Sequence, residues 1–109
     1  MLGADLSLSA PSLRPKPGEQ VSVKCTVSAG EAFRGWFRQQ SGGGFSQVPQ
    51  SSSASVQVEA NSPVYTLRFT DVEVSQGGKY ECRGSLNNKE SFTLEVACKC
   101  YCIQMMLFV

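Results

Sequence analysis

One stretch, VYTLRFTDVEVSQGGKYECRG at residues 64–84, constrains the fold of this chain more than any other. Leu67 and Phe69 alternate with polar residues in its first part, which predicts a strand with one apolar face. A corner of mostly polar residues follows. Beyond the corner, Tyr80 and Cys82 lie two residues apart, and a second strand would direct both side chains to one face. The stretch therefore predicts two strands joined by a tight corner, each with a buried side.

Short strands separated by turns account for the rest of the chain up to about residue 96. Residues 21–27 (VSVKCTV) alternate strictly between apolar and polar side chains, as in a strand with one buried face. The proline-containing residues 11–17 are expected to form an edge strand or a connection, because proline cannot donate to a strand ladder. Serine-rich residues 50–55 predict a loop, and residues 85–88 (SLNN) predict a hairpin turn. Further short strands are predicted at residues 5–10, 33–39, 45–49, 56–58 and 92–96.

The number and spacing of these strands predict the fold class. About seven or eight strands, with a turn signal about every ten residues, indicate an all-β fold of two antiparallel sheets packed as a sandwich. No helical pattern is longer than one turn. A β-trefoil or a barrel is the alternative that strand spacing alone leaves open.

Length and charge limit the classes of function. The 109 residues fit one domain with a modest core, and we expect it to span residues 1–97, with residues 98–109 as a tail outside the strand pattern. The net charge of +1 gives no electrostatic case for binding nucleic acid or an anionic membrane. The chain has no histidine, which disfavours an enzyme because the usual base near neutral pH is missing.

Two cysteines and a tryptophan carry a family resemblance. Trp36 lies 11 residues after Cys25, and Cys82 lies 57 residues after Cys25. With this spacing the sequence resembles the immunoglobulin superfamily, which argues against a trefoil or a barrel. The matching motifs are VSVKC (21–25), WFRQ (36–39) and LRFTDVEVSQGGKYEC (67–82). The last motif is the most specific, and its residues at the family's offsets are Leu67, Phe69, Val72, Gly78, Tyr80 and Cys82.

The resemblance implies a disulfide bond between Cys25 and Cys82 that joins the two sheets. Closing this loop would destabilise the unfolded chain by about 4 kcal/mol on a chain-entropy estimate. Trp36 would cover the sulfur atoms, and the hydroxyl of Tyr80 would bond to backbone upstream of it. These residues would hold the fold and perform no chemistry. The implied core consists of Val23, Trp36, Leu67, Phe69, Val72 and Tyr80.

Departures from the family pattern bear on the type of domain. Gln76 stands where variable-type domains usually carry an aspartate that pairs with an arginine, so that ion pair is lost. The spacing of 57 residues is short for a variable-type domain, and the last strand lacks a Phe-Gly-x-Gly motif. We therefore expect an intermediate (I-set) domain. A shortened variable-like domain is the alternative, and the WFRQ motif favours it.

Strand alternation predicts which side chains lie on the outside of the sheet that contains Trp36. Two aromatic rings among charged and amide groups would form a modest protein interface, with an apolar centre and a charged rim. The resemblance implies that this sheet pairs with another domain. The alternative is that the two rings are lone surface aromatics, which are common. The candidate interface residues are Phe37, Gln39, Phe45, Glu81, Arg83 and Glu95.

Two arginines flank Trp36. Arg34 and Arg38 lie two residues on either side of it, so alternation predicts that both face inward. A charge directed inward needs a partner, which pairing with Glu73 or stacking on an aromatic ring would supply. We expect a structural role for these arginines over anion binding.

Three further cysteines, Cys98, Cys100 and Cys102, precede the apolar residues IQMMLFV at 103–109. This tail reads as the start of a membrane span, though it falls short of the ~20 residues that a span needs, or as sequence from outside the domain. Three thiolates without a fourth ligand make a weak site for Zn²⁺ or Cu⁺, so no metal or other cofactor is expected. Intermolecular disulfide bonds are the favoured role for an exposed, oxidised tail.

The resemblance and the cysteine usage together imply a function. Residues 1–10 do not read as a signal peptide, and we expect a mature fragment with an added Met1. A widely spaced disulfide pair fits an extracellular or cell-surface setting. The sequence thus implies a non-catalytic protein–protein recognition module of an adhesion or immune-type receptor. Its partner would be a protein ligand or another immunoglobulin-like domain, with a homodimer as one form, and segments outside this chain would provide any membrane attachment. The alternative is an intracellular I-set domain of a muscle or cytoskeletal protein.

Overall fold

The structure is a computed structural model that describes residues 6–49, 55–85 and 88–97. Most of the serine-rich loop and the tail cysteines Cys98, Cys100 and Cys102 lie outside these ranges, so the predictions made for them stay predictions. Within these ranges the chain forms nine strands and one 3₁₀ turn at Val74–Gln76. The strands are β1 (Leu6–Leu8), β2 (Ser12–Leu13), β3 (Val21–Val27), β4 (Phe33–Gln39), β5 (Phe45–Gln47), β6 (Val56–Asn61), β7 (Val64–Phe69), β8 (Gly78–Gly84) and β9 (Lys89–Leu94).

The strands form two sheets, which confirms the predicted all-β sandwich. One sheet has the order β1-β3-β7-β6 and the other the order β2-β9-β8-β4-β5. All pairings are antiparallel except that of β2 with β9, which is parallel. The proline-containing connection after β1 crosses from the first sheet to the edge of the second, because β1 pairs with β3 and β2 pairs with β9. Residues 64–84 form β7, the 3₁₀ turn and β8, so the stretch predicted to form two strands joined by a corner does so.

The disulfide bond between Cys25 and Cys82 joins the two sheets, as the resemblance implied. Cys25 lies on β3 and Cys82 on β8, and their Cα atoms are 6.5 Å apart. Both side chains are fully buried, and Trp36 on β4 is the cross-strand partner of Cys82. Burial of the two cysteines and Trp36 removes a large apolar area from water. Such burial gives the main favourable free-energy term in folding. The buried hydrophobic residues are Leu6, Val23, Cys25, Val27, Trp36, Leu67, Phe69, Val72, Tyr80, Cys82, Phe92 and Leu94.

Tyr80 closes the corner between β7 and β8. Its ring stacks on Phe92 with centroids 5.2 Å apart, and its hydroxyl donates to the backbone oxygen of Gln76 at 2.5 Å. The side-chain oxygen of Gln76 accepts from the backbone N–H of Glu73 at 2.8 Å. Glutamine at this position therefore replaces the family's ion pair with a hydrogen bond inside the corner.

A β-bulge in β4 overturns the prediction that Arg34 faces inward. Phe33 pairs with Gly84, whereas Gly35 pairs with Arg83, so Arg34 is the extra residue and has no partner in the ladder. One inserted residue reverses the alternation, and Arg34 is exposed while Phe33 packs against the core. Gly35 has φ +136°, a backbone conformation that residues with a Cβ rarely adopt.

Arg38, beyond the bulge, is half-buried on the inward side. Its guanidinium lies 5.6 Å from the centroid of the Tyr80 ring and donates to the backbone oxygens of Ser75, at 2.5 Å, and Gly77, at 3.1 Å. Glu73 is not its partner. Carbonyl oxygens of the corner therefore satisfy this charge.

Candidate functional site

The candidate site lies on the outer face of the five-stranded sheet, where β5, β4 and β8 run side by side. Phe37 on β4 is at its centre, because its cross-strand partners are Gln47 on β5 and Glu81 on β8. Phe45 is the partner of Gln39, two residue pairs further along the same two strands and on the same face. Cross-strand partners share a face of the sheet, so these five side chains form one surface, named the β4 face below.

Arg83 lies across the two aromatic rings of the β4 face. Its guanidinium carbon is 4.0 Å from the centroid of the Phe37 ring and 5.3 Å from that of Phe45. Its Nε donates to Oε1 of Glu81 at 2.9 Å. A cation over a ring face and a charge-assisted hydrogen bond both restrict the side chain, so contacts within the chain itself hold Arg83 in place.

The arrangement differs from the predicted apolar centre with a charged rim. The side chain of Glu81 is only 5% exposed, so it lies beneath the surface and forms no part of a rim. Arg83 is 33% exposed and covers the rings instead of flanking them. Phe37 and Phe45 are half-buried as a result. The centre of the face is therefore an arginine supported by two rings and a carboxylate.

Gln39 and Glu95 lie further from this centre. Gln39 is exposed, and its Nε2 donates to the backbone oxygen of Gly43 at 3.3 Å. Glu95 makes an exposed ion pair with Arg14, with Nε and Oε1 3.0 Å apart. Ser91 on β9 pairs with Glu81, and Glu95 lies four residues after Ser91. Glu95 is therefore about 13 Å along the strand direction from the centre of the face. The structure does not bring Glu95 into contact with the group around Phe37.

Gln47 and Arg34 belong to this region but were absent from the predicted site. The Nε2 of Gln47 donates to the backbone oxygen of Arg34 at 3.4 Å. A Cβ placed on Gly35 would lie 2.5 Å from that Nε2 atom, so the side chain of Gln47 occupies the space that glycine leaves. A glycine inside a strand pattern is a known sign of a bulge or of a group that closely approaches the backbone. Gly35 was therefore the signal from which the outward position of Arg34 and the neighbouring position of Gln47 could have been predicted.

The loop end of the sandwich is tied together by Glu31. Its carboxylate accepts hydrogen bonds from the backbone N–H of Ser85 at 2.6 Å, from that of Ala32 at 2.9 Å, and from the side chains of Ser85 and Asn88. These hydrogen bonds lower the pKa of Glu31 from 4.5 to about 2, with the two side-chain donors as the largest causes. The β3–β4 loop is thereby bonded to the β8–β9 hairpin.

The described part of the chain contains no cluster of three or more side chains suited to holding a metal ion. In the same ranges, no helix has the length and apolar character that a membrane crossing requires.

Comparisons with known proteins identify the fold. No protein-family model and no curated protein matches the sequence. Among solved structures, the first immunoglobulin domain of the mouse polymeric immunoglobulin receptor is similar, with a TM-score of 0.68 and 14% identity. The match covers 87% of this chain and 96% of that domain. Since 1734 solved chains resemble the structure, the likeness points to no particular ligand. This chain has the immunoglobulin-like fold, with its cross-sheet disulfide bond in place.

Proposed function

We propose that the chain is a non-catalytic recognition module that binds a protein partner through the β4 face. The observation that carries the proposal is the position of Arg83. Its guanidinium lies over the rings of Phe37 and Phe45 and is bonded to the buried carboxylate of Glu81. Arginine and aromatic residues are the types that most often dominate the binding energy of protein interfaces.

The geometry of Arg83 suits it to binding. Its Nε is engaged with Glu81, while its terminal NH₂ groups make no hydrogen bond within the described ranges. Those donors, together with the ring edges beneath them, are available to backbone carbonyl or carboxylate groups of a partner. Because the side chain is already ordered, binding would cost less conformational entropy than ordering a mobile arginine.

The setting we propose is extracellular or at the cell surface, in a receptor of the adhesion or immune type. The buried disulfide bond supports it, since such bonds persist in oxidising compartments. The similar mouse domain belongs to a polymeric immunoglobulin receptor, which is consistent with this setting. An intracellular I-set role would instead keep Cys25 and Cys82 reduced. Thiol titration of protein from its native source distinguishes the two settings.

The partner we propose is a second immunoglobulin-like domain, including a second copy of this chain, or another protein ligand. The test compares wild type with Phe37→Arg, which places a second cation against Arg83. Val74→Arg is the matched control, because Val74 is a 44% exposed apolar residue in the 3₁₀ turn, away from the β4 face. Sedimentation measures self-association, and a fluorescent multimer of the domain measures binding to cells of the source tissue.

We expect Phe37→Arg to abolish whichever of these two associations the wild type shows, and Val74→Arg to preserve it. The proposal is wrong if wild type shows neither association, or if both variants behave as wild type.

A further inference from the structure

A cleft opens at the end of the β4 face nearest the loops. Its volume is about 410 Å³, within the range of roughly 300–1,000 Å³ that is usual for ligand pockets. The bulge creates one wall, because it expels Arg34 to the outside beside the ring of Phe37. The lining residues are Arg34, Phe37, Arg83, Gly84, Asn88 and Lys89.

Positive charge in the cleft is not balanced by the described residues. Arg34, Arg83 and Lys89 all line it, and only Arg83 has an acidic partner, the buried Glu81. No ion pair within the described ranges includes Arg34 or Lys89. The nearby carboxylate of Glu31 is already bonded to the loop residues Ser85 and Asn88.

Lys89 is also the direct cross-strand partner of Arg83. Like charges in directly opposed positions of an antiparallel pair are destabilising. Such a local cost is typical of a functional position, where a ligand of opposite charge relieves it.

We propose that this cleft binds acidic side chains of a segment of the partner protein. The proposal rests on the recognition function above and names the chemistry of its partner. The guanidinium groups of Arg34 and Arg83 present paired N–H donors that match a carboxylate, and Lys89 adds a third cation. Phe37 gives the stem of a glutamate side chain an apolar surface to contact. Three cations against a net charge of +1 for the whole chain suit a short acidic segment and are too few for the backbone of a nucleic acid.

The test measures binding of a fluorescent oligoglutamate peptide by anisotropy, with oligoglutamine of equal length as the uncharged comparison. The variants are Arg34→Gln and Lys89→Gln, alone and combined, since neither residue is in the core. Lys24→Gln is the control, because Lys24 is an exposed cation on β3 in the opposite sheet. We expect each cleft variant to weaken oligoglutamate binding roughly tenfold and the control to leave it unchanged.

The proposal is wrong if oligoglutamate binds no better than oligoglutamine, or if Lys24→Gln weakens binding as much as the cleft variants do. Its failure is separable from failure of the recognition function. If the peptide fails while Phe37→Arg still abolishes association, the acidic partner is excluded and the β4 face stands. If neither association nor peptide binding is found, both proposals fall.

Discussion

The Arg83 guanidinium lies 4.0 Å from the centroid of the Phe37 ring, and its Nε bonds to Glu81 in the layer beneath. The arginine thus serves the fold and the surface at once. It neutralises a carboxylate that is only 5% exposed, and it presents its remaining donors to solvent. The contacts with Glu81 and Phe37 hold the Arg83 side chain in place as part of the fold.

Loss of Arg83 is expected to destabilise the fold. Arg83→Ala leaves the buried Glu81 carboxylate without its partner, which should cost about 2 kcal/mol. Arg68→Ala is the matched control, because it removes an ion pair with Glu59 whose side chains are 29% and 50% exposed. That change should cost less than about 1 kcal/mol. Urea denaturation of both variants provides the measurement, and equal losses would contradict the role assigned to Glu81.

The bulge in β4 is expected to require glycine at position 35. Gly35→Ala introduces a Cβ at φ +136°, a backbone conformation that residues with a Cβ rarely adopt, so we predict a loss of roughly 1–3 kcal/mol from backbone strain. The end of the flexible Gln47 side chain would move aside at little cost. Gly42→Ala is the control, since no atom lies within 4 Å of its added Cβ and its φ is not positive. That variant should stay within about 0.5 kcal/mol of wild type. A thermal melt compares them, and a neutral Gly35→Ala would show that the bulge does not require glycine at this position.

The bulge also explains where sequence-based prediction stopped. The number and spacing of the short strands predicted the sandwich. The family resemblance carried by Cys25, Trp36 and Cys82 implied the disulfide bond, which the structure contains. The prediction that Arg34 faces inward was wrong. It was made by counting alternate residues back from Trp36, and one inserted residue reverses the side to which each side chain before it points.

The burial of Glu81 could not be predicted from the sequence for a different reason. Alternation correctly puts Glu81 on the outer face, opposite Phe37. Whether a residue on that face is exposed depends on which neighbours fold over it, and Arg83 is one of those neighbours. Strand periodicity assigns a side of the sheet but carries no information about side-chain cover.

The corner bond of Tyr80 makes a separate prediction. Burial raises the pKa of Tyr80, so its hydroxyl remains a donor, and Tyr80→Phe removes its bond to the Gln76 oxygen. We expect a loss of about 1 kcal/mol with no change in the core packing of the ring. Tyr65→Phe is the control, because Tyr65 stacks on Phe33 and its hydroxyl makes no hydrogen bond in the described ranges. Guanidinium denaturation provides the measurement. Equal free energies of unfolding for wild type and Tyr80→Phe would show that the Tyr80 hydrogen bond does not stabilise the fold.

The Glu31 carboxylate is expected to make stability depend on acid pH. Its pKa is about 2 in the folded chain and 4.5 without the hydrogen bonds, so the folded state favours the ionised form. The stabilisation is therefore fully present above pH 4.5 and is lost as the pH falls towards about 2. Glu31→Gln removes the charge while keeping the shape of the side chain. Melting temperatures of both proteins should differ most above pH 4.5 and converge as the pH approaches about 2.

The control for this experiment is Glu90→Gln, because Glu90 is exposed and accepts no side-chain hydrogen bond within the described ranges. Its difference from wild type should stay small at every pH. Comparing each variant with wild type cancels the titration of the other carboxylates, which act equally in both proteins. If the Glu31→Gln and wild-type curves run parallel between pH 4.5 and about 2, the carboxylate titrates alike in both states. The charge of Glu31 would then make no contribution to joining the β3–β4 loop to the β8–β9 hairpin. Its hydrogen bonds with Ser85 and Asn88 would be no stronger than those of a neutral side chain.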